Sequence, residues 1–196
     1  MKGKEFDTKK APICFVDLEM TGLEAQKHEI VEIGLVKASQ PDLKIIETWE
    51  AKVHPEHLET SDPKALEISG YNPDGWKKAI SLKEMMEILS EKTNGTVLAG
   101  FVAFADYSFL DAAVTKTGIP LDFHKRFLDI NSYAYAKLDY DWNDTGLSAL
   151  CKKLGISLEN HHTAMADALA SYEVYKIVSQ ETPLKQKKAV KRFTEG

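Results

Sequence analysis

The stretch ICFVDLEMTGLE, residues 13–24, decides the fold, because it begins as a buried strand and then becomes polar. Residues 12–18 are apolar toward both faces, which predicts a central strand of a sheet. Asp17 and Glu19 then stand where further apolar side chains would be expected. Because side chains alternate along a strand, both carboxylates point the same way, at the strand end where open α/β sheets place their ligands.

This pair of carboxylates has two interpretations. Like charges held close together repel each other, and a cation between them would remove that cost. Oxygen ligands of this kind suit Mg²⁺ or Mn²⁺. Alternatively, both acids merely end the strand at the surface, since Asp-x-Glu alone is a weak pattern. The turn that follows favours a site, because it carries an apolar Leu23 and because Gly22 would let a backbone or a base approach closely.

Composition is that of a globular protein, and it leaves the partner open. The 196 residues are 43% hydrophobic and 28% charged, enough for one domain with a sizeable core. The sequence has no run of 18 or more apolar residues, so no membrane span is expected. Its N-terminus has no apolar segment, so no secretory signal is expected. The two cysteines form no disulfide framework, which favours the cytoplasm. The net charge is −5, but two divalent cations would offset four of those charges, so charge does not exclude nucleic acid.

Hydrophobic periodicity predicts one α/β domain with a mixed sheet and helices packed on its faces. Strands are predicted over residues 12–18, 29–38, 44–53, 96–104 and 127–130, and helices over 63–68, 82–94, 106–118, 131–138, 146–154 and 163–179. Residues 1–11 are interpreted as an N-terminal extension, 12–180 as the domain and 181–196 as a basic tail. The tail is either a solvated terminus or a weak nucleic-acid contact.

Further acids follow at the ends of other elements. Asp106 comes after the apolar run 96–104, and its alternative role is a helix cap. Asp167 lies among small alanines that would permit close helix–sheet packing. His162 lies five residues earlier, so on a regular helix the two would point roughly 140° apart. They can converge only if His162 precedes the helix, with Thr163 near the cap; a surface or capping role is the alternative.

Three motifs in this order resemble the DEDDh branch of the DnaQ-like 3′→5′ exonucleases: FVDLEMTGL, DYSFL and HHTAMADALAS. The resemblance covers residues 12 to about 178. It implies a ribonuclease H-like α/β fold, with a five-stranded mixed sheet and helices on both faces. The family's catalytic residues fall on Asp17, Glu19, Asp106, His162 and Asp167. His161 does not fit the family's His-x4-Asp spacing.

The resemblance also implies a mechanism and a substrate. The four carboxylates of Asp17, Glu19, Asp106 and Asp167 would hold two divalent cations, Mg²⁺ or Mn²⁺, and His162 would act as general base. The substrate would be the 3′ end of single-stranded DNA or RNA, shortened to nucleoside 5′-monophosphates. Substrate contacts are expected at Met20, Thr21, Gly22, Leu23 and Phe109. A polymerase or another replication or repair protein stays open as a partner, as does the oligomeric state.

One stretch departs from the family pattern. Phe101 and Val102 stand where the family usually has His-Asn, and Ala105 stands where it has an aromatic residue. This departure affects substrate positioning and rate more than metal binding. Two alternatives therefore stay open on the same fold: an oligoribonuclease-like enzyme acting on short RNA, and a catalytically weak nucleic-acid-binding module. An unrelated α/β metal enzyme is a third. The sequence does not distinguish DNA from RNA.

Overall fold

Five strands form one mixed sheet in the computed structural model, which describes residues 7–138, 146–158 and 162–180. The strands are β1 (Ile13–Met20), β2 (Ile30–Ala38), β3 (Ile45–Lys52), β4 (Val97–Gly100) and β5 (Leu128–Asp129). Their order across the sheet is β3-β2-β1-β4-β5. The first three pair antiparallel, whereas β4 and β5 run parallel to β1. The predicted five-stranded mixed sheet is thus confirmed.

Six α-helices connect and cover these strands in the described part of the chain. They are α1 (Pro63–Ile68), α2 (Leu82–Thr93), α3 (Ala103–Thr117), α4 (Ile130–Lys137), α5 (Leu147–Leu154) and α6 (Ala164–Gln180). Side-chain caps fix two of the starts, since Asp62 accepts from the Lys64 N–H and Ser81 from the Glu84 N–H. None of the helices in the described ranges is long and apolar enough to cross a bilayer.

The sheet separates two hydrophobic clusters, one on each face. Ile13 and Phe15 pack with α4, α5 and α6, whereas the alternating side chains Cys14, Val16 and Leu18 pack with α2 and α3. Phe15 is fully buried, and its ring contacts Tyr172 and Tyr175 of α6 with centroids 5.6 Å apart. The helices therefore lie on both faces, as predicted, and the odd-numbered side chains of β1 face α6. Both cysteines are buried free thiols.

Strand β1 continues two residues beyond its predicted end. It pairs with β2 through Asp17 opposite Gly34 and Glu19 opposite Glu32. The register then shifts, because Met20 pairs with Ile30 and leaves Val31 as an extra residue. Such a β-bulge ends regular pairing and re-aims the chain, here directly after the second acid.

The boundary between β4 and α3 was predicted wrongly. The apolar run 96–104 is not one strand, because β4 ends at Gly100 and α3 already begins at Ala103. Asp129 fixes this start by accepting a hydrogen bond from the Ala103 N–H at 3.0 Å, and it also caps α4. Asp106 therefore lies one turn inside α3 and does not cap it. An apolar run alone cannot distinguish a buried strand from a buried first turn of helix.

Other predicted boundaries agree to within a few residues. The hairpin of β2 and β3 and the helices near 63–68, 82–94 and 163–179 are confirmed. The predicted strand 127–130 shortens to β5, since Ile130 already begins α4. The predicted basic tail, residues 181–196, and His161 lie outside the described residues.

Candidate active site

Two strand carboxylates and one helix carboxylate converge at the edge of the sheet. Asp17 and Glu19 of β1 and Asp167 of α6 each offer an oxygen, and these atoms lie within 4.8 Å of one another. Strand alternation explains why both β1 acids face α6, and the first turn of α6 brings Asp167 to them. The convergence expected from the sequence is therefore present.

Small residues allow helix α6 to approach the sheet this closely. Ala164 and Ala168 are fully buried. A Cβ atom on Gly34 of β2 would collide with the backbone of Ala164 and Met165. Because Gly34 pairs with Asp17, the helix rests on the sheet directly beside the first carboxylate.

Glu32 is a further buried carboxylate that the sequence analysis did not single out. It lies opposite Glu19 on β2, and only 6% of its surface is exposed. Its Oε1 accepts a hydrogen bond from the Ala164 N–H at 3.1 Å, at the start of α6. A signal was present, because Glu32 interrupts the apolar strand IVEIGLV just as Asp17 interrupts its own strand.

Asp106 lies beside these carboxylates on another element. It is buried, and its Oδ1 accepts a hydrogen bond from the Leu18 N–H at 3.1 Å. A Cβ atom on Gly100 would lie 3.0 Å from its Oδ2. Asp106 is thus held at the adjacent ends of β1 and β4, close enough for its charge to raise the pKa of Asp17.

Burial, joined by the charges of neighbouring acids, raises the pKa of three of these carboxylates, Asp17, Glu19 and Asp106. Burial, followed by the charges of Asp106, Asp167, Glu19 and Glu32, raises the pKa of Asp17 well above its usual range. Burial and the neighbouring acids raise the pKa of Glu19 to about 8. Burial raises the pKa of Asp106 to about 7, although the Leu18 N–H opposes the shift. A group of oxygen ligands with this much repulsion fits divalent cations such as Mg²⁺ or Mn²⁺, because a cation removes the repulsion.

His162 lies in the segment that enters α6, which is the condition under which it and Asp167 could converge. It precedes the helix and is exposed, with a left-handed φ of 71°. Thr163 caps the helix as expected, because its carbonyl accepts from the Asp167 N–H at 3.1 Å and its Oγ1 accepts from the Ala166 N–H at 3.4 Å.

The expected substrate contacts divide into exposed and internal residues. Leu23 is 90% exposed and Met20 is half-buried. Thr21 is buried, and its hydroxyl accepts from the Glu29 N–H at 2.9 Å. At Gly22, a Cβ atom would meet the ring of His28 at 2.5 Å, so the close neighbour there is an imidazole.

Phe109, the fifth expected contact, is 3% exposed and packs in the core under α3. It also lines a cavity of about 360 Å³ between α3 and residues 25–30, which none of the four predicted metal ligands lines. Glu29 and Glu56 at this cavity bond to the ammonium of Lys116, at 3.3 and 2.8 Å. That lysine already neutralises the acids there, so the site beside β1 is the better candidate for cations.

The two residues that replace His-Asn differ in environment. Phe101 is 8% exposed and belongs to the core on the α6 face. Val102 is 48% exposed at the start of α3. Neither side chain offers a polar contact to a substrate.

Comparison with known proteins places this arrangement in context. The model of the family RNase_T, described as an exonuclease, matches residues 14–175. The DNA polymerase III PolC-type of Thermotoga petrophila is 30% identical over 166 residues, covering 84% of this chain but 12% of the polymerase. The chain thus spans about an eighth of the length of that relative.

Two solved structures have the same fold. Escherichia coli exonuclease I in complex with a dT13 oligonucleotide superposes with a TM-score of 0.76 at 19% identity, covering 88% of this chain and 42% of that one. The nuclease domain of 3′hExo, a DEDDh family member bound to rAMP, gives a TM-score of 0.70 at 21% identity, covering 91% and 97%. The ribonuclease H-like fold expected from the sequence is therefore confirmed.

Proposed function

The chain belongs to the RNase_T exonuclease family, and on that premise we propose that it is a metal-dependent 3′→5′ exonuclease of single-stranded nucleic acid. The observation that carries the proposal is the convergence of Asp17, Glu19 and Asp167 within 4.8 Å, with Asp106 beside them. Four carboxylates, two half-buried on β1 and two buried on α3 and α6, would serve as ligands for two divalent cations. Mg²⁺ and Mn²⁺ suit this all-oxygen ligand set best.

The four carboxylates and His162 divide the chemistry between them. Asp17, Glu19, Asp106 and Asp167 would hold the cations, which activate water and neutralise charge on the phosphate. His162 takes the proton of a water molecule as its oxygen attacks phosphorus. The bond from phosphorus to the 3′ oxygen of the preceding nucleotide breaks, and that oxygen takes a proton from solvent. One nucleoside 5′-monophosphate leaves, and the shortened strand keeps a 3′ hydroxyl.

The position of His162 supports its role as the base. It is exposed and lies directly before α6, whose first turn carries Asp167. An exposed imidazole can pass its proton to bulk water after each turnover. This placement also favours a catalytic role for His162 over a structural one, since Thr163 already supplies the helix cap.

The turn after β1 supports a single-stranded substrate. Leu23 presents almost its whole apolar side chain to solvent, at the strand end where the carboxylates lie. Unpaired bases stack on exposed apolar side chains, whereas a duplex end would first have to open. The structural neighbours hold a DNA oligonucleotide in one case and rAMP in the other, so DNA and RNA are both proposed. The PolC-type relatives favour a DNA polymerase as partner. Another replication or repair protein stays open, and the cytoplasm is the proposed location.

A catalytically weak binding module is the second candidate. Phe101 and Val102 favour it, because they remove two polar side chains that the family usually places beside Asp106. Short RNA, the oligoribonuclease-like alternative, is a question of substrate length within the main proposal.

Labelled single strands test the proposal directly. DNA and RNA oligonucleotides, long and short, carry a label at the 3′ or the 5′ end and are incubated with Mg²⁺, Mn²⁺ or EDTA. We expect immediate release of a 3′-labelled mononucleotide, a shrinking ladder from the 5′-labelled strand, and no cleavage with EDTA. Release of the 5′ label first would contradict the direction. Binding without cleavage in every metal would select the binding module instead.

A further inference from the structure

Among the described residues, Glu32 is the one buried carboxylate beside the site that the proposed mechanism does not use. From its contacts we infer that Glu32 is a positioning residue, which holds the N-terminus of α6 so that Asp167 and the segment of His162 meet Asp17 and Glu19. This inference rests on the proposed function for its kinetic consequence, but its structural part concerns metal binding alone.

The first argument is the hydrogen bond between strand and helix. The Glu32 Oε1 accepts from the Ala164 N–H at 3.1 Å across 132 residues of sequence, and the contact is buried. The first N–H groups of a helix have no partner inside the helix, so a carboxylate there satisfies a donor and also favours the positive end of the helix dipole.

The second argument is that α6 rests on β2 at two neighbouring points. Glu32 holds the Ala164 N–H, and Gly34, two residues further along the same face, lies against the backbone of Ala164 and Met165. Glu32 fixes the helix along the strand, and Gly34 sets how closely it approaches. Both residues pair with the β1 acids, Glu32 with Glu19 and Gly34 with Asp17.

The third argument is that Asp167 moves with this helix start. The Asp167 N–H donates to the Thr163 carbonyl at 3.1 Å, so both residues belong to the first turn that Glu32 anchors. The Glu32 Oε1 is already engaged by the Ala164 N–H at the start of this helix. Glu32 therefore acts on the cation through α6 and not as a ligand.

Two conservative substitutions separate the hydrogen bond from the charge. Glu32→Gln keeps the length and an amide oxygen that accepts from Ala164, but it loses the charge. Glu32→Asp keeps the charge but is one methylene too short. Glu50→Gln is a matched control, because Glu50 is an exposed carboxylate on β3 that pairs with Gly34. All are measured well below the melting temperature, with folding checked by circular dichroism.

Mn²⁺ titration monitored by electron paramagnetic resonance provides a readout that does not need activity. We expect Glu32→Asp to weaken Mn²⁺ binding and to lower kcat, each by about 10-fold or more. This is the usual effect of losing a residue that orients a metal ligand. KM for a single strand should change little. Glu32→Gln should stay within about threefold of wild type, as should the Glu50 control.

Two results would overturn the inference. If Glu32→Asp binds Mn²⁺ as tightly as wild type, the helix needs no such anchor. If Glu32→Gln loses as much Mn²⁺ affinity and kcat as Glu32→Asp, then the charge of Glu32, and not its hydrogen bond, supports the site. A wild-type protein that cleaves nothing would refute the proposed function alone, because the order of Mn²⁺ affinities would still test the role of Glu32.

Discussion

Helices α6 and α3 both bring a carboxylate to the site, but they begin in different surroundings. The start of α6 is built from polar anchors and small residues, namely Glu32, Gly34, Thr163 and Ala164. The start of α3 is anchored by Asp129 at its backbone, and the side chains around it are the apolar Phe101, Val102 and Phe104. On the proposed function, the difference teaches that this chain has firm anchors for the cation ligand on α6 but apolar side chains at the start of α3, where a substrate would be positioned.

Replacing Asp17 with Asn tests the carboxylates that are proposed to hold the cations, and it should have the largest effect. Loss of a ligand at the centre of the carboxylates removes several kcal/mol of charge stabilisation, so we expect turnover to fall about 10³-fold or more. Mn²⁺ should also raise the melting temperature less than it does in wild type, because binding to the native state is weaker. Steady-state kinetics and calorimetry check both effects. Wild-type turnover in Asp17→Asn would refute the assignment.

Replacing His162 with Ala tests whether the segment before α6 contributes chemistry. We expect kcat to fall about 10²-fold or more through loss of the general base, while Mn²⁺ affinity stays close to wild type. His161→Ala is the matched control, since it removes the same side chain one position away. A larger loss in His161→Ala would show that the register of the motif is wrong.

Replacing Gly34 with Ala tests the close approach of α6 without touching any charge. The added methyl group would meet the backbone of Ala164 and Met165, so the helix must shift and carry Asp167 with it. A displacement of about 1 Å can cost about 10²-fold in rate, and overpacking costs about 1–3 kcal/mol of stability. Gly146→Ala is the control, because a Cβ atom there meets nothing within 4 Å. Equal activity of the two variants would contradict the role of Gly34.

The pH dependence of stability tests the electrostatic cost of the carboxylates. The pKa of Glu19 is raised from an ordinary 4.5 to about 8, so between these values the native state holds a proton that the unfolded chain has released. The free energy of unfolding of the metal-free protein must then fall as pH rises through this window. The exposed carboxyls of Asp42, Glu56 and Glu59 have lowered pKa values, so they change the free energy of unfolding only at pH values below this window.

We therefore expect the metal-free melting temperature to fall by at least about 3 °C between pH 5 and pH 8. Saturating Mn²⁺ should remove most of this fall, since the cation replaces the protons. Differential scanning calorimetry with and without metal provides the measurement. Glu19→Gln should make the metal-free fall smaller, although the raised pKa values of Asp17 and Asp106 keep part of it. A metal-free melting temperature that rises over this range would contradict the interpretation.

Replacing Val102 with Asn tests the apolar start of α3 and should have the smallest effect. Val102 is half-exposed, so the change does not disturb the core. It restores one polar side chain that the family usually has. We therefore expect about a threefold gain in kcat/KM, which corresponds to one modest hydrogen bond. Phe101→His is the contrasting variant. Phe101 is buried, so we expect it to lose about 1–3 kcal/mol of stability. Unchanged kinetics in Val102→Asn would show that its position does not contact substrate.

Local pattern was sufficient to predict most of the fold. Alternation in β1 placed Asp17 and Glu19 on one face, and the alanines around Asp167 indicated a helix that packs closely. The helical angle between His162 and Asp167 correctly required His162 to precede the helix. These inferences succeeded because each depends on neighbouring residues alone.

The failures concern contacts between distant segments. The start of α3 is fixed by Asp129, 26 residues away, and no property of the run 96–104 reveals that partner. Glu32 visibly interrupts its apolar strand, but its contact with Ala164, 132 residues distant, cannot be seen from that strand. Phe109, an expected substrate contact, lies in the core because α3 packs over it. In each case a tertiary contact decided what the local sequence left open.

The anchoring of α6 on β1 and β2 also has a consequence for how the protein is made. Ribosomes synthesise the sheet long before they reach Ala164, so a nascent chain can assemble its strands while the Asp167 carboxylate of α6 is still missing. On the proposed assignment of the site, the group of carboxylates is therefore completed only when α6 docks. Until α6 docks, the growing polypeptide carries Asp17, Glu19 and Asp106 without the carboxylate of Asp167.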